Sequence, residues 1–154
     1  MESRFVATLT GVVLAALIVS GVPGMATTNS PQTPARPAAN TVTVVMKDRS
    51  FQSSTRTVPA GKVTFVVRNA GTMEHEFVVL RTGRHHHLLS MKSQQASEAG
   101  AKGEIEEFAS GRTKRLTLTL APGKYVLLCN IVKREAGELN SHYEKGMYAS
   151  LTVE

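Results

Sequence analysis

The stretch Thr57–Leu80, TVPAGKVTFVVRNAGTMEHEFVVL, contains two consecutive β-strand patterns and the turn between them. In KVTFVVRN (62–69), alternation places Val63, Phe65 and Val67 on one face, and HEFVVLR (75–81) is an apolar run of strand length. Asn69-Ala70-Gly71 supplies turn-forming residues between them. This stretch therefore predicts a β-protein built from short strands joined by tight turns.

Similar patterns recur on both sides of this stretch. We predict four further strands, at TVTVVMK (41–47), KRLTLTL (114–120), KYVLLCN (124–130) and MYASLTV (147–153). The segment Thr82–Gly103 predicts a long loop, and within it Gln94–Ala101 is the one stretch that suits a short helix. The sequence thus predicts an all-β sandwich or barrel that forms a single domain.

Composition limits the function. One cysteine among 154 residues excludes an internal disulfide, a zinc ribbon, a CxxC redox pair and a Cys-only iron–sulfur site within one chain. The net charge is +6, but Lys and Arg are scattered without an aromatic stripe, so we expect no nucleic acid binding. A dispersed basic surface instead favours docking to acidic protein partners or to anionic lipid head groups.

The N-terminal region has the composition of a targeting segment. Phe5 to Val19 is uncharged and almost entirely apolar, it follows Arg4, and Gly24-Met25-Ala26 provides a small-residue exit. We therefore expect residues 1–26 to be a cleaved signal peptide or a membrane anchor, with membrane association through residues 5–22 in the second case. Residues 27–40 have a Pro-rich linker composition, and residues 41–154 are left as the folded domain, exported to the periplasm or the extracellular space.

Four residues near predicted strand ends form a candidate metal site. His75 opens a strand, Cys129 lies near the end of another, and His142 and Met147 precede the last one. Each has an ordinary explanation by itself, since free Cys and Met are commonly buried and a lone His is usually structural. Together they match the two imidazoles, the thiolate and the weak thioether ligand of a blue copper centre, which serves Cu(I) and Cu(II) with little rearrangement.

Three segments resemble the cupredoxins, the small exported blue copper proteins similar to plastocyanin and sulfocyanin. They are TVPAGKVTFVVRNAGTMEHEFVVL (57–80), GEIEEF (103–108) and LTLAPGKYVLLCN…HYEKGMYASLTV (118–153). The resemblance implies a Greek-key β-sandwich and one type 1 copper ion bound by His75, Cys129, His142 and Met147. It covers almost all of residues 41–154.

The sequence departs from the family between the second and third ligands. His142 follows Cys129 by thirteen residues instead of five, because Val132 to Ser141 replace the family's Pro-Gly. Such a detour either loops out and leaves the ligands in place, or it alters or exposes the site. Two further points stay open: whether Asn69 braces the ligand loops or is a plain turn residue, and whether the loop histidines His85, His86 and His87 hold a second metal.

We expect a monomeric electron carrier that shuttles single electrons between unidentified redox partner proteins, and not an enzyme, because the chain lacks the histidine pairs of further copper sites. The alternative is an exported copper chaperone or storage protein, a hypothesis that the histidines of the loop keep open. The acidic group Glu104, Glu106 and Glu107 predicts a solvated face. A backbone N–H that donates to the Cys129 sulfur would stabilise the reduced state.

Overall fold

The computed structural model describes residues 40–154, which form thirteen strands and one 3-10 turn at His86–Leu88. The strands are β1 Asn40–Lys47, β2 Ser50–Ser53, β3 Thr57–Val58, β4 Gly61–Asn69, β5 His75–Arg81, β6 Met91–Lys92, β7 Gln95–Ala96, β8 Ala101–Phe108, β9 Thr113–Leu120, β10 Gly123–Leu128, β11 Val132–Glu135, β12 Glu138–Ser141 and β13 Tyr148–Val153.

Two sheets pack face to face around one apolar core. The first has the strand order β2-β1-β4-β9, and the second has the order β3-β13-β10-β5-β8. Alternation along β4 points Val63, Phe65 and Val67 inward at 0% exposure, as the sequence predicts. The Phe65 ring lies 5.3 Å from that of Phe77 on the opposite sheet. The predicted fold class, a Greek-key β-sandwich, is confirmed.

The strands β5 and β10 are buried on both faces, which explains their continuous apolar sequences. One face contributes Phe77 and Leu127 to the core between the sheets. The other face forms a second cluster beneath the loop that follows β5, with these members: Val78, Leu80, Leu89, Ala96, Val126, Leu128 and Tyr143. Because both of their faces are covered, these two central strands are rigid, and the residues at their ends are held in fixed positions.

The structure corrects two predictions about the region between β5 and β9. Gln94–Ala101 is not a helix, because it contains β7. The Ala96 N–H donates to Asn130 Oδ1, and the Ala96 carbonyl accepts from Asn130 Nδ2, which holds Ala96 in an extended conformation. The strand β8 was not predicted, because its buried residues Ile105 and Phe108 are spaced by three and do not alternate. The register shift between His75 and Phe77 in the pairing of β8 with β5 accounts for that spacing.

The predicted signal or anchor segment 1–26 and the predicted linker up to residue 39 lie outside the described residues. Residues 40–154 contain no helix that is long and apolar enough to cross a membrane.

Candidate metal centre

The four predicted ligands come together at one end of the sandwich. His75 is the first residue of β5, Cys129 directly follows β10, His142 directly follows β12, and Met147 directly precedes β13. Their exposures are 0%, 0%, 1% and 0%. His75, Cys129 and Met147 thus lie at the ends of β5, β10 and β13, three strands of the second sheet, and the sheet fixes their backbone positions.

Three donor atoms form a compact triangle. The Nδ1 atoms of His75 and His142 are 3.2 Å apart, and Sγ of Cys129 lies 3.9 Å from the first and 3.3 Å from the second. The circle through three points with these separations has a radius of about 2.0 Å, which is the usual length of a metal–imidazole bond, ~2.0–2.1 Å for zinc. One metal ion at its centre would bind all three atoms.

The protonation of the two imidazoles suits metal binding. Burial lowers the pKa of His75, although its contact with Asp48 opposes this effect, and burial followed by the proximity of His75 lowers the pKa of His142. Both rings are therefore neutral near pH 7, which is the form that binds metals. Two neutral nitrogens facing each other at 3.2 Å can share at most one proton between them, and a cation would satisfy both lone pairs.

The Cys129 thiol is held in its protonated form when no metal is bound. Burial raises its pKa to about 12, against the opposing effect of backbone hydrogen bonds from Ile131 and Glu76. Hydrogen bonds that lower a thiol pKa stabilise the thiolate, so these two backbone groups favour the form of Cys129 that binds metals. A metal ion that displaces the proton would find a thiolate already supported by two donors.

Met147 is fixed beside the triangle by the main chain. The Cys129 N–H donates to the Met147 carbonyl at 3.0 Å, and the Met147 N–H donates to the His142 carbonyl at 3.1 Å. The short turn from His142 to Met147 is closed at Gly146, whose φ of +93° favours glycine. These bonds link Cys129, His142 and Met147 into one rigid loop.

The ten-residue segment Val132 to Ser141 forms a β-hairpin that leaves the ligand positions intact. Strands β11 and β12 pair in register from Val132↔Ser141 to Glu135↔Glu138. Ala136 and Gly137, both with positive φ, make the two-residue turn that suits a tight hairpin. The His142 N–H donates to the Ile131 carbonyl at 2.9 Å and closes the hairpin at its base. The first of the two alternatives therefore holds: the insertion loops out, and His142 returns to Cys129.

The hairpin is also tied to the body of the domain. Lys133 Nζ lies 3.0 Å from Glu74 and 2.9 Å from Glu107, and Glu74 immediately precedes His75. These partly exposed ion pairs contribute little stability individually. They nevertheless orient the insertion against the strand that carries the first ligand. Glu104, Glu106 and Glu107 are exposed, as predicted.

Asp48 is a part of the centre that the sequence did not reveal. Its Oδ1 lies 3.3 Å from Nε2 of His75, and its carboxylate also accepts hydrogen bonds from the backbone and hydroxyl of Thr72 at 2.8 Å. Burial raises the pKa of Asp48, but the bonds from Thr72, Met73 and His75 together lower it below its usual value. The carboxylate favours a proton on Nε2 and thereby leaves Nδ1 free to face the triangle.

Two asparagines brace the loops around the centre. The buried Asn69 donates to the carbonyls of Met73 and Phe108 at 2.8 and 3.0 Å and accepts from Gly71, so it acts both as a turn residue and as a brace. Asn130, next to Cys129, binds the N–H and C=O of Ala96 at 2.7 and 2.8 Å. Side chains therefore determine the paths of the turn before His75 and of the loop over β10.

The loop histidines form a second cluster, away from the core. One donor atom each of His85, His86 and His87 lies within 4.8 Å of the others, and the first and third rings are exposed. Burial, followed by the neighbouring imidazoles, lowers the pKa of His86. In residues 40–154 this cluster and the buried triangle are the two groups of at least three His, Cys, Asp or Glu side chains with metal-binding spacing.

A profile of the cupredoxin-like domain matches residues 16–139 of the chain. The chain belongs to the cupredoxin-like family. The match ends before His142 and Met147, so the family assignment does not depend on these two residues. The two imidazoles and the thiolate are a donor set that fits one type 1 copper ion.

Solved structures of blue copper proteins have the same fold. Auracyanin from the photosynthetic bacterium Roseiflexus castenholzii superimposes with a TM-score of 0.55 at 22% identity, covering 76% of this chain and 98% of that one. Rusticyanin from Thiobacillus ferrooxidans does so with a TM-score of 0.51 at 17% identity, covering 76% and 79%. Similarity at this level of identity shows a shared cupredoxin fold.

A curated relative carries a different description. The iron uptake system component EfeO of Yersinia pseudotuberculosis is 29% identical over 98 residues, which are 64% of this chain and 22% of that protein. The cupredoxin-like chain thus spans about a fifth of the length of the curated relatives that it matches.

Proposed function

We propose that this protein is a type 1 copper protein that transfers single electrons between redox partners. His75, Cys129 and His142 would supply the three strong ligands, and Met147 would supply a weak thioether ligand. The observation that carries this proposal is the convergence of two imidazole Nδ1 atoms and one Sγ on a buried point about 2.0 Å from each.

Copper would supply a one-electron Cu(I)/Cu(II) couple at this point. The protein's contribution is to keep the ligands still, because a centre that does not rearrange between oxidation states exchanges electrons quickly. The main-chain bonds among Cys129, His142 and Met147, together with the carboxylate of Asp48 behind His75, supply this rigidity. The two N–H groups directed at the Cys129 sulfur favour the reduced state.

Burial supports a carrier over an enzyme. Each of the four proposed ligands is at most 1% exposed, so a substrate molecule has no direct access to the metal position. An electron needs no such access. The net charge of +6 supports docking to acidic partner proteins, and the apolar segment within residues 5–22 supports an exported location.

Ligand substitution combined with voltammetry tests this assignment. The protein loaded with one equivalent of copper should show one reversible one-electron wave. We expect Cys129→Ser to abolish the wave, and His142→Ala to abolish or strongly shift it. The matched control is Leu88→Ala, because this side chain is 59% exposed and has no metal-binding atom. A wave that is unchanged in His142→Ala would remove this residue from the ligand set.

The alternative function is storage or delivery of copper, and the exposed histidine cluster is the observation that favours it. The two functions differ in how fast the buried copper leaves. A carrier should retain copper against a chelator for many catalytic cycles of its partners, whereas a delivery protein should release it rapidly to an acceptor. Release within seconds to a moderate chelator, without reversible redox cycling, would favour delivery.

A further inference from the structure

The conformation of the loop after β5 brings three consecutive histidines together. The 3-10 turn His86–Leu88 is closed by the Leu88 N–H, which donates to the His85 carbonyl at 2.8 Å. The ring of His85 lies 4.0 Å from that of His86 and 4.2 Å from that of His87, centre to centre. Consecutive side chains in an extended strand would point to opposite faces, so the turn creates this cluster.

The central ring is fixed by its surroundings. His86 Nδ1 lies 2.8 Å from the Ser150 hydroxyl, and its ring packs at 4.5 Å against Tyr148. The Tyr143 hydroxyl donates to the His86 carbonyl, which anchors the backbone of the turn to the loop that carries His142. With Nδ1 occupied by Ser150, the Nε2 atom of His86 remains as the donor for a ligand. A hydrogen bond to the other ring nitrogen is the usual way in which a metal-binding imidazole is oriented.

From this geometry we propose a second metal site, a solvent-accessible centre for one Cu(II) ion bound by His85, His86 and His87. Two imidazole nitrogens on one ion lie at most ~4.2 Å apart, given bonds of ~2.0–2.1 Å. One ring nitrogen of each histidine lies within 4.8 Å of the others, so rotations of the two exposed rings would bring their nitrogens to an ion bound at His86 Nε2. Water molecules fill the remaining positions. This site does not depend on the buried centre.

The chemistry of the cluster selects the ion. Its three ligands are all imidazoles, which bind copper, nickel and zinc, whereas magnesium and calcium require oxygen ligands. Arg56 lines the cleft beside His85 and His86, so the local charge does not favour cations in general. Among divalent ions of the first transition row, Cu(II) has the highest affinity for a nitrogen site and is therefore the expected occupant.

Copper stoichiometry and electron paramagnetic resonance test the site. The wild-type protein, saturated with Cu(II) and passed through a desalting column, should hold two equivalents: one in the buried centre and one with the signal of imidazole-bound copper. The double variant His85→Ala/His87→Ala should hold one equivalent, and its affinity for the second ion should fall by more than ~100-fold, since loss of outer partners alone costs 10–100-fold. The variant retains His86 and its packing.

Leu88→Ala is the matched control, because Leu88 is 59% exposed, lies in the same turn and has no metal-binding atom. It should hold two equivalents. Wild-type protein that binds only one equivalent, in the buried centre, would overturn the second site. A second equivalent of copper that persists in the double variant would also overturn the second site. If instead the wild type binds a single non-blue ion that the double variant loses, the histidine site stands and the proposed type 1 function fails.

Discussion

Asp48→Asn removes a negative charge next to a proposed copper ligand with little change in shape. Asp48 Oδ1 lies 3.3 Å from Nε2 of His75. Asparagine keeps an oxygen at this position, so the N–H groups of Thr72 and Met73 retain an acceptor. The carboxylate stabilises Cu(II), which has one more positive charge than Cu(I). We therefore expect the substitution to raise the reduction potential.

The size of this shift follows from the geometry. The imidazole ring and one metal–nitrogen bond add about 4 Å to the 3.3 Å contact, which places the charge about 7 Å from an ion bound at Nδ1. The Asp48 side chain is 32% exposed, so an effective dielectric constant of ~40–80 applies and the interaction is worth ~0.6–1.2 kcal/mol. For one electron this corresponds to about 25–50 mV.

Voltammetry of the copper-loaded variant measures the shift directly. Thr72→Ala is the matched control, because it removes the hydroxyl bond to the same carboxylate and leaves the charge in place. We expect the potential of this control to stay within about 10 mV of the wild type, since no charge changes. A potential that is unchanged or lower in Asp48→Asn would refute the electrostatic role of Asp48.

Three other perturbations probe the centre and the residues that support it. In the metal-free protein burial raises the pKa of Cys129 from 9.0 to about 12, so above pH 9 the unfolded chain loses a proton that the folded chain keeps. Urea unfolding should therefore show a stability loss of roughly 1 kcal/mol between pH 8 and pH 10, and Cys129→Ser should lack this loss. In Gly71→Ala the added Cβ would lie 2.2 Å from Asp48 Oδ1 and 2.8 Å from His75 Nε2, so we expect both groups to be displaced. A competition titration should then show weaker copper binding. The control Gly83→Ala has open space at its Cβ and should bind copper like the wild type. Asn69→Ala removes the hydrogen bonds to the Met73 and Phe108 carbonyls and leaves these acceptors unpaired, so the free energy of unfolding in urea should fall by ~2–4 kcal/mol. A fall of less than about 1 kcal/mol would mean that Asn69 does not brace this turn.

Periodicity predicted the central strands well because burial imposes it. The strand β5 matches the predicted run 75–81, and the strands β4 and β9 begin within a residue of their predicted starts. The edge and two-residue strands, such as β3 at Thr57–Val58, are too short to have a periodic signal. Backbone pairing to β13 defines β3, and such pairing is a tertiary property that one sequence does not display.

The three residues of the triangle could be predicted from the sequence, but the contacts of Asp48 and Asn130 that position the surrounding chain could not. His75, Cys129 and His142 have donor atoms that few other residue types supply, and the pattern around them resembles the cupredoxins. Asp48 lies 27 residues before His75 and has no distinctive neighbours in the sequence. Likewise, the composition of Gln94–Ala101 is compatible with a helix and does not show the contact with Asn130, whose amide holds Ala96 in an extended conformation. Contacts of this kind exist only after the chain has folded.

The optical spectrum on addition of one equivalent of Cu(II) tests the type 1 centre most directly. A thiolate bound to Cu(II) in a trigonal His₂Cys site gives an intense blue absorption, and Cys129 is the chain's one thiol. We predict that this band grows linearly to one equivalent, disappears on reduction and is absent in Cys129→Ser. Tight binding of the first equivalent without the band, in folded protein with Cys129 reduced, would contradict the assignment of His75, Cys129 and His142 as a type 1 copper centre.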